Sequence, residues 1–124
     1  MKVQLKRNLE PIIEAACNEI DKQAELERSK YVTTGSLQAM TYQAKQAEAN
    51  SFLAGKEGPF PLLEAEAAAT NNTVANLAST VVYMAEQWTL ISASIEAKRI
   101  AAKMEIKNAK TPAEIDSIKV DWSI

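Results

Sequence analysis

Seven apolar residues, Val74, Leu77, Val81, Met84, Trp88, Ile91 and Ile95, recur at alternating steps of three and four without a fault. That spacing lays them along one stripe of an α-helix, whereas strand side chains repeat every second residue. Past Ile95 the stripe takes a step of four to Arg99 and continues through Ala102, Ile106 and Ala109, as a single stutter in a heptad repeat does. Helical from residue 73 to 109, such a segment is about 55 Å long at 1.5 Å per residue. A rod of that length outruns the core of a chain of 124 residues. Part of the stripe is therefore expected on the chain's own helices and part on another chain, the competing expectation being a stripe covered wholly within the chain.

Composition bears on the rest of the fold. With 3 Gly and 4 Pro there are too few turn residues for a β-sandwich or barrel, and Ala, Glu, Lys, Gln and Leu are abundant. The expectation is one all-α domain over 1–124. Its architecture is an antiparallel helical bundle or hairpin with one long projecting helix and short extended termini. Residues 1–8 alternate polar and apolar and read as an extended arm. Pro11 belongs in the first turn of a helix, so a helix over 9–28 follows, with Asn8 as its cap and Leu9, Ile12, Ile13, Ala16, Cys17, Ile20 and Ala24 on its buried stripe. Val32 to Ser36 interrupt it. A second helix over 36–54 carries a narrow seam of Leu37, Met40, Ala44, Ala47 and Ser51 and ends at Gly55. Pro61 opens a third helix over 61–69. The long helix takes 73–109, and Thr111-Pro112-Ala113-Glu114, a capping box with Pro at the first helical position, opens a last one over 112–118. Ile118, Val120, Trp122 and Ile124 alternate with polar residues, so 119–124 reads as an extended tail with one apolar face. It either lies against a partner or folds back on the chain's own core.

The formal charge is -2 and no His is present. Ser-His-Asp and Cys-His nucleophiles are thereby excluded, and zinc sites and an internal disulfide have no ligand set with one Cys. Cys17 falls on the buried stripe of the first helix and reads as a small apolar residue. None of Gly35, Gly55 and Gly58 stands in a phosphate-cradling spacing, so no nucleotide cofactor is expected. Residues 57–97 hold no Lys or Arg. Just after them come Lys98, Arg99, Lys103, Lys107 and Lys110, either a solvated helix end or a docking patch for an acidic partner. Trp88 lacks the basic groove of a nucleic-acid platform, and the basic face accompanies alanines rather than the bulky side chains of a membrane helix. Neither nucleic acid nor membrane is expected as a partner. No apolar run of about 18 residues occurs, and the lone Cys fits a soluble chain of the cytosol. Glu64 and Glu66 lie in an apolar context but two apart, so a paired acid/base site is weakly supported and an enzyme is not expected. Glu96 and Arg99 form an i, i+3 pair, and Arg99, on the seam, is expected half-buried beside a carboxylate that fixes helix register. Lys45 is similarly placed to pair with Glu48.

The order Tyr42-x-x-Lys45-x-x-Glu48-Ala49, then Phe60-Pro61-Leu62-Leu63-Glu64-Ala65-Glu66-Ala67, then Trp88 and Ile95-Glu96-x-x-Arg99, resembles a group of small tailed-bacteriophage proteins. It is also similar to the helical C-terminal part of tail-fibre assembly proteins, where an Ala-, Glu- and Arg-rich helix leads to an acidic residue before Trp, as in Asp121-Trp122. The likeness covers about residues 28–122. Where a proline usually follows that tryptophan, Ser123 stands here. The resemblance implies a non-enzymatic component of the tail, baseplate or tail fibres, located in the virion after synthesis in the host cytoplasm, partnered by other tail or fibre proteins and by copies of itself. An assembly chaperone that leaves the mature particle is the alternative. The expected contact residues are Val74, Leu77, Val81, Met84, Trp88, Ile91, Ile95 and Arg99 on the long helix, and Trp122 and Ile124 on the tail.

Overall fold

A computed structural model describes the backbone of residues 2–31 and 36–124 and the side chains of 9–31 and 37–124. The interruption expected at 32–36 lies almost wholly outside the described residues. Among the described residues five helices follow one another: α1 (Lys2–Ser29), α2 (Ser36–Leu53), α3 (Pro61–Thr70), α4 (Val74–Asn108) and α5 (Pro112–Ser117). No strand occurs among the described residues. The protein is all-α, as its periodicity requires.

Local chemistry sets most of the helix ends. Gly55, at φ 78°, closes α2, with the Lys56 amide donating back to the Ser51 carbonyl at 3.1 Å. Asn71, at φ 52°, closes α3 in the same left-handed conformation, and the Asn72 amide donates to Ala67 O at 3.0 Å. Thr73 caps α4 by accepting from the Asn76 amide at 3.1 Å. At α5 the expected capping box forms in part. Thr111 Oγ1 accepts from the Glu114 amide at 3.1 Å, while the Glu114 carboxylate reaches one residue further back, to the Lys110 amide at 2.6 Å.

One end differs from expectation. The extended arm at 1–8 is replaced by helix from Lys2 onward, so Asn8 is not a cap and Pro11 lies inside α1. Proline removes a single i→i−4 hydrogen bond, and helix-forming residues on both sides, Leu5, Lys6 and Arg7 before it and Glu14, Ala15 and Ala16 after it, carry the helix through.

The packed residues gather into two compact units, residues 1–32 with 91–124, and residues 33–90. In the first, α1 and the C-terminal part of α4 run antiparallel, since Asp21 meets Arg99 and Lys103 while Arg28, further along α1, meets Glu96, earlier in α4. The core between them is Leu9, Cys17 and Ile20 of α1, Ala102 and Ile106 of α4 and Ile115 of α5. On the α1 stripe Leu9, Cys17, Ile20 and Ala24 are buried as its spacing requires, Ile13 and Ala16 are half-buried, and Ile12 is 39% exposed. In the second unit, α2 and α3 form an antiparallel hairpin, since Lys45 meets Glu66 and Glu48 meets Leu62. Ala49, Leu63 and the α4 residue Ala78 are fully buried there. Two of these three are alanines, whose size lets the helices approach closely.

Candidate interaction surfaces

The hairpin corner of the second unit is built around the first turn of α3, whose backbone amides have no intrahelical acceptors. Pro61 supplies no amide. The next two do: Leu62 N donates to both Glu48 carboxylate oxygens at 3.0 and 3.2 Å, and Leu63 N to one at 3.1 Å. A carboxylate from a neighbouring helix thus caps α3 and faces the positive end of its dipole. Glu64 adds a second acceptor, taking the Phe60 amide at 3.0 Å. Lys45 does not pair with Glu48. It crosses to Glu66 at 3.3 Å and lies 5.1 Å from the Tyr42 ring centroid. Phe52 and Phe60 meet edge to face at 5.5 Å beneath the corner.

This corner turns the α2 seam outward. Leu37 is 77% exposed and Met40 63%, and Ala44 and Ala47 are exposed as well. The packing face is instead Lys45, Glu48, Ala49 and Phe52, because the α3 N-terminus needs a carboxylate and only that face presents one.

Along α4 the seam is covered in different ways. Val74, Leu77 and Val81 pack on the Ala49–Leu63–Ala78 cluster, and Met84 stands 59% exposed. Trp88 and Ile91 are half-buried, and Ile95 is fully buried. Beyond the stutter, Ala102 and Ile106 are core residues and Ala109 is packed against them. Arg99 is half-buried, as expected. Its Nε donates to Glu96 at 2.7 Å, and a terminal nitrogen donates to Asp21 at 2.8 Å. Arg28 completes Glu96 at 2.9 Å, and Lys103 meets Asp21 at 3.1 Å. Hydrogen bonding to Arg99 holds both carboxyls, Asp21 and Glu96, below their ordinary ranges and raises the guanidinium. The i, i+3 spacing revealed Glu96 as a partner. Asp21 and Arg28, from a different helix, leave no such local signal.

In the tail, Ile118, Val120 and Trp122 lie against the first unit's core while Lys119, Asp121 and Ser123 are exposed, the alternation expected of an extended segment. The Trp122 indole donates to Gln23 at 3.0 Å, and Lys98 donates to the Ser123 carbonyl. Of the two expected tail contacts, Trp122 is thus engaged within the chain and Ile124 is 65% exposed. Hydrogen bonds from Ser123 hold the Asp121 carboxyl below its usual range.

Spacing read for one seam missed a second. Tyr83, Leu90, Ile100 and Met104 are 60, 65, 48 and 59% exposed, and each lies off the covered stripe. Between α2 and α4 of the second unit runs a shallow groove of about 400 Å³, lined by Gln46, Asn50, Val82, Ala85, Glu86 and Leu90 among others. Among the described residues, no cluster of three or more His, Cys, Asp or Glu is arranged to hold a metal ion, and no helix is long and apolar enough to cross a membrane. No protein-family model, no curated protein and no solved structure matches the chain.

Proposed function

We propose that this chain is a non-enzymatic structural or adaptor protein of a tailed bacteriophage, associated with the tail, baseplate or tail fibres and working through its helix faces. The observation that carries the proposal is the number of large apolar side chains left in solvent on α2 and α4, Leu37, Met40, Tyr83, Met84 and Leu90 among them. An excess of side chains of that size in solvent is what a surface that meets another protein presents. The carboxylates that a reaction centre would draw on are engaged elsewhere, Glu48 and Glu64 as helix caps and Glu66 in an ion pair. The phage setting rests on the resemblance of the Tyr42-to-Trp122 pattern to tail proteins. Quantitative mass spectrometry of purified virions, counting copies against the major tail protein, tests it. A fixed copy number is expected. Absence from virions with abundance in the infected-cell lysate would make it an assembly chaperone, and absence from both would remove the phage setting.

A further inference from the structure

From the exposed side of α4 we infer that copies of this chain associate with one another, residues 83–90 of one copy lying antiparallel against residues 100–107 of the next. Tyr83, Glu86 and Leu90 are all exposed and step by three and four. Ile100, Met104 and Lys107 are exposed too, and read backward from Lys107 they step by three and four as well. Two helical stripes with mirrored steps fit each other when antiparallel, each residue meeting one opposite. In that register Leu90 lies beside Ile100, Glu86 beside Met104 and one turn from Lys107, and the Tyr83 ring under the Lys107 ammonium. The charges agree. On the exposed stripes themselves Glu86 and Lys107 are opposite in sign, while Arg99 and Lys103 are turned to Asp21 and Glu96 within the chain and take no part. Each copy carries both halves of this complement, so a second copy supplies what the first lacks, and no other partner needs to be invoked. The inference stands on these exposed residues and does not depend on the phage setting.

Sedimentation equilibrium of the full chain tests it, read against a monomer of 13.6 kDa. The wild-type mass is expected to rise with concentration, and Leu90→Lys to weaken association at least about tenfold with the helical circular dichroism unchanged. Glu86→Lys or Lys107→Glu alone should each weaken it about two- to fivefold, and the two together should restore it. Should Leu90→Lys lose its helical signal, the two charge reversals, both at exposed positions, decide the matter. A wild-type mass that stays monomeric up to millimolar concentration, association indifferent to Leu90→Lys in a folded variant, or charge reversals whose losses add instead of cancelling would each overturn the inference.

Discussion

Glu48 makes more structural contacts than any carboxylate of its unit, and its neighbours explain why. Two amides of α3 converge on it within 3.2 Å, so replacement leaves both without an acceptor. Glu48→Ala is expected to destabilise the fold by about 1–2 kcal/mol in urea unfolding, with Glu48→Gln recovering part of the loss. The Arg99 cluster is more exposed, and screening by water keeps Arg99→Ala to about 1 kcal/mol. Its pH dependence has a definite sign. Asp21 and Glu96 titrate lower when folded, so the unfolded chain takes up protons first. Their stabilisation is fully present above the ordinary carboxylate range and is lost as pH falls through the depressed folded-state values. Urea midpoints of wild type and Arg99→Ala should therefore converge below about pH 4, and no histidine perturbs either between pH 5 and 7. A gap between them that does not narrow as pH falls below the ordinary carboxylate range would mean that Arg99 acts by packing alone.

At the scale of the element, helices were legible where a residue type dictates the backbone. Gly55 and Asn71 in left-handed conformation, Pro61 at a helix start and Thr111 before Pro112 set the ends of α2, α3 and α5 within a residue of their expected positions. The start of α1 was not legible, because Pro11 is best suited to a first turn and is carried inside the helix only by the helix-forming residues around it. Helix from Lys2 through Pro11 implies one missing hydrogen bond, so Pro11→Ala should raise thermal stability, by about 1 kcal/mol or more, and increase ellipticity at 222 nm. No change in either would return 1–8 to an extended arm. The buried face of α2 was also hidden. Its Leu37–Met40–Ala44–Ala47 seam has the better spacing, but the cap demanded by α3 pulls the other face inward, and nothing in α2 alone encodes the need of a helix that begins eight residues after it ends. The tail was legible in its alternation and not in its destination. Because Trp122 covers the core and donates to Gln23, Trp122→Ala should cost about 1–3 kcal/mol, less than a fully buried indole. Unchanged stability would place the tail in solvent.

For the whole molecule, the heptad spacing of α4 established which residues share a face but not what covers it. Covered at Val74, Leu77 and Val81 and again from Ile95 to Ala109, the seam is open at Met84. Most of the stripe is thus covered within the chain, and Met84 is left bare. The candidate contact residues divide accordingly. Val74, Leu77, Val81, Ile95, Arg99 and Trp122 hold the chain together, Trp88 and Ile91 are half-buried, and Met84 and Ile124 remain open to a partner, with Leu37 and Met40 added by the turn of α2. The proposed function assigns the protein's work to these bare side chains. A Leu37→Lys/Met40→Lys/Met84→Lys variant tests this, introduced into the gene of the phage proposed to encode the chain and counted by mass spectrometry in purified virions. The expected result is a folded protein melting within a few degrees of wild type, since exposed substitutions shift stability by about 0.5 kcal/mol, with its copy number in the particle reduced at least about tenfold. Incorporation of the folded variant at the wild-type copy number would contradict the claim.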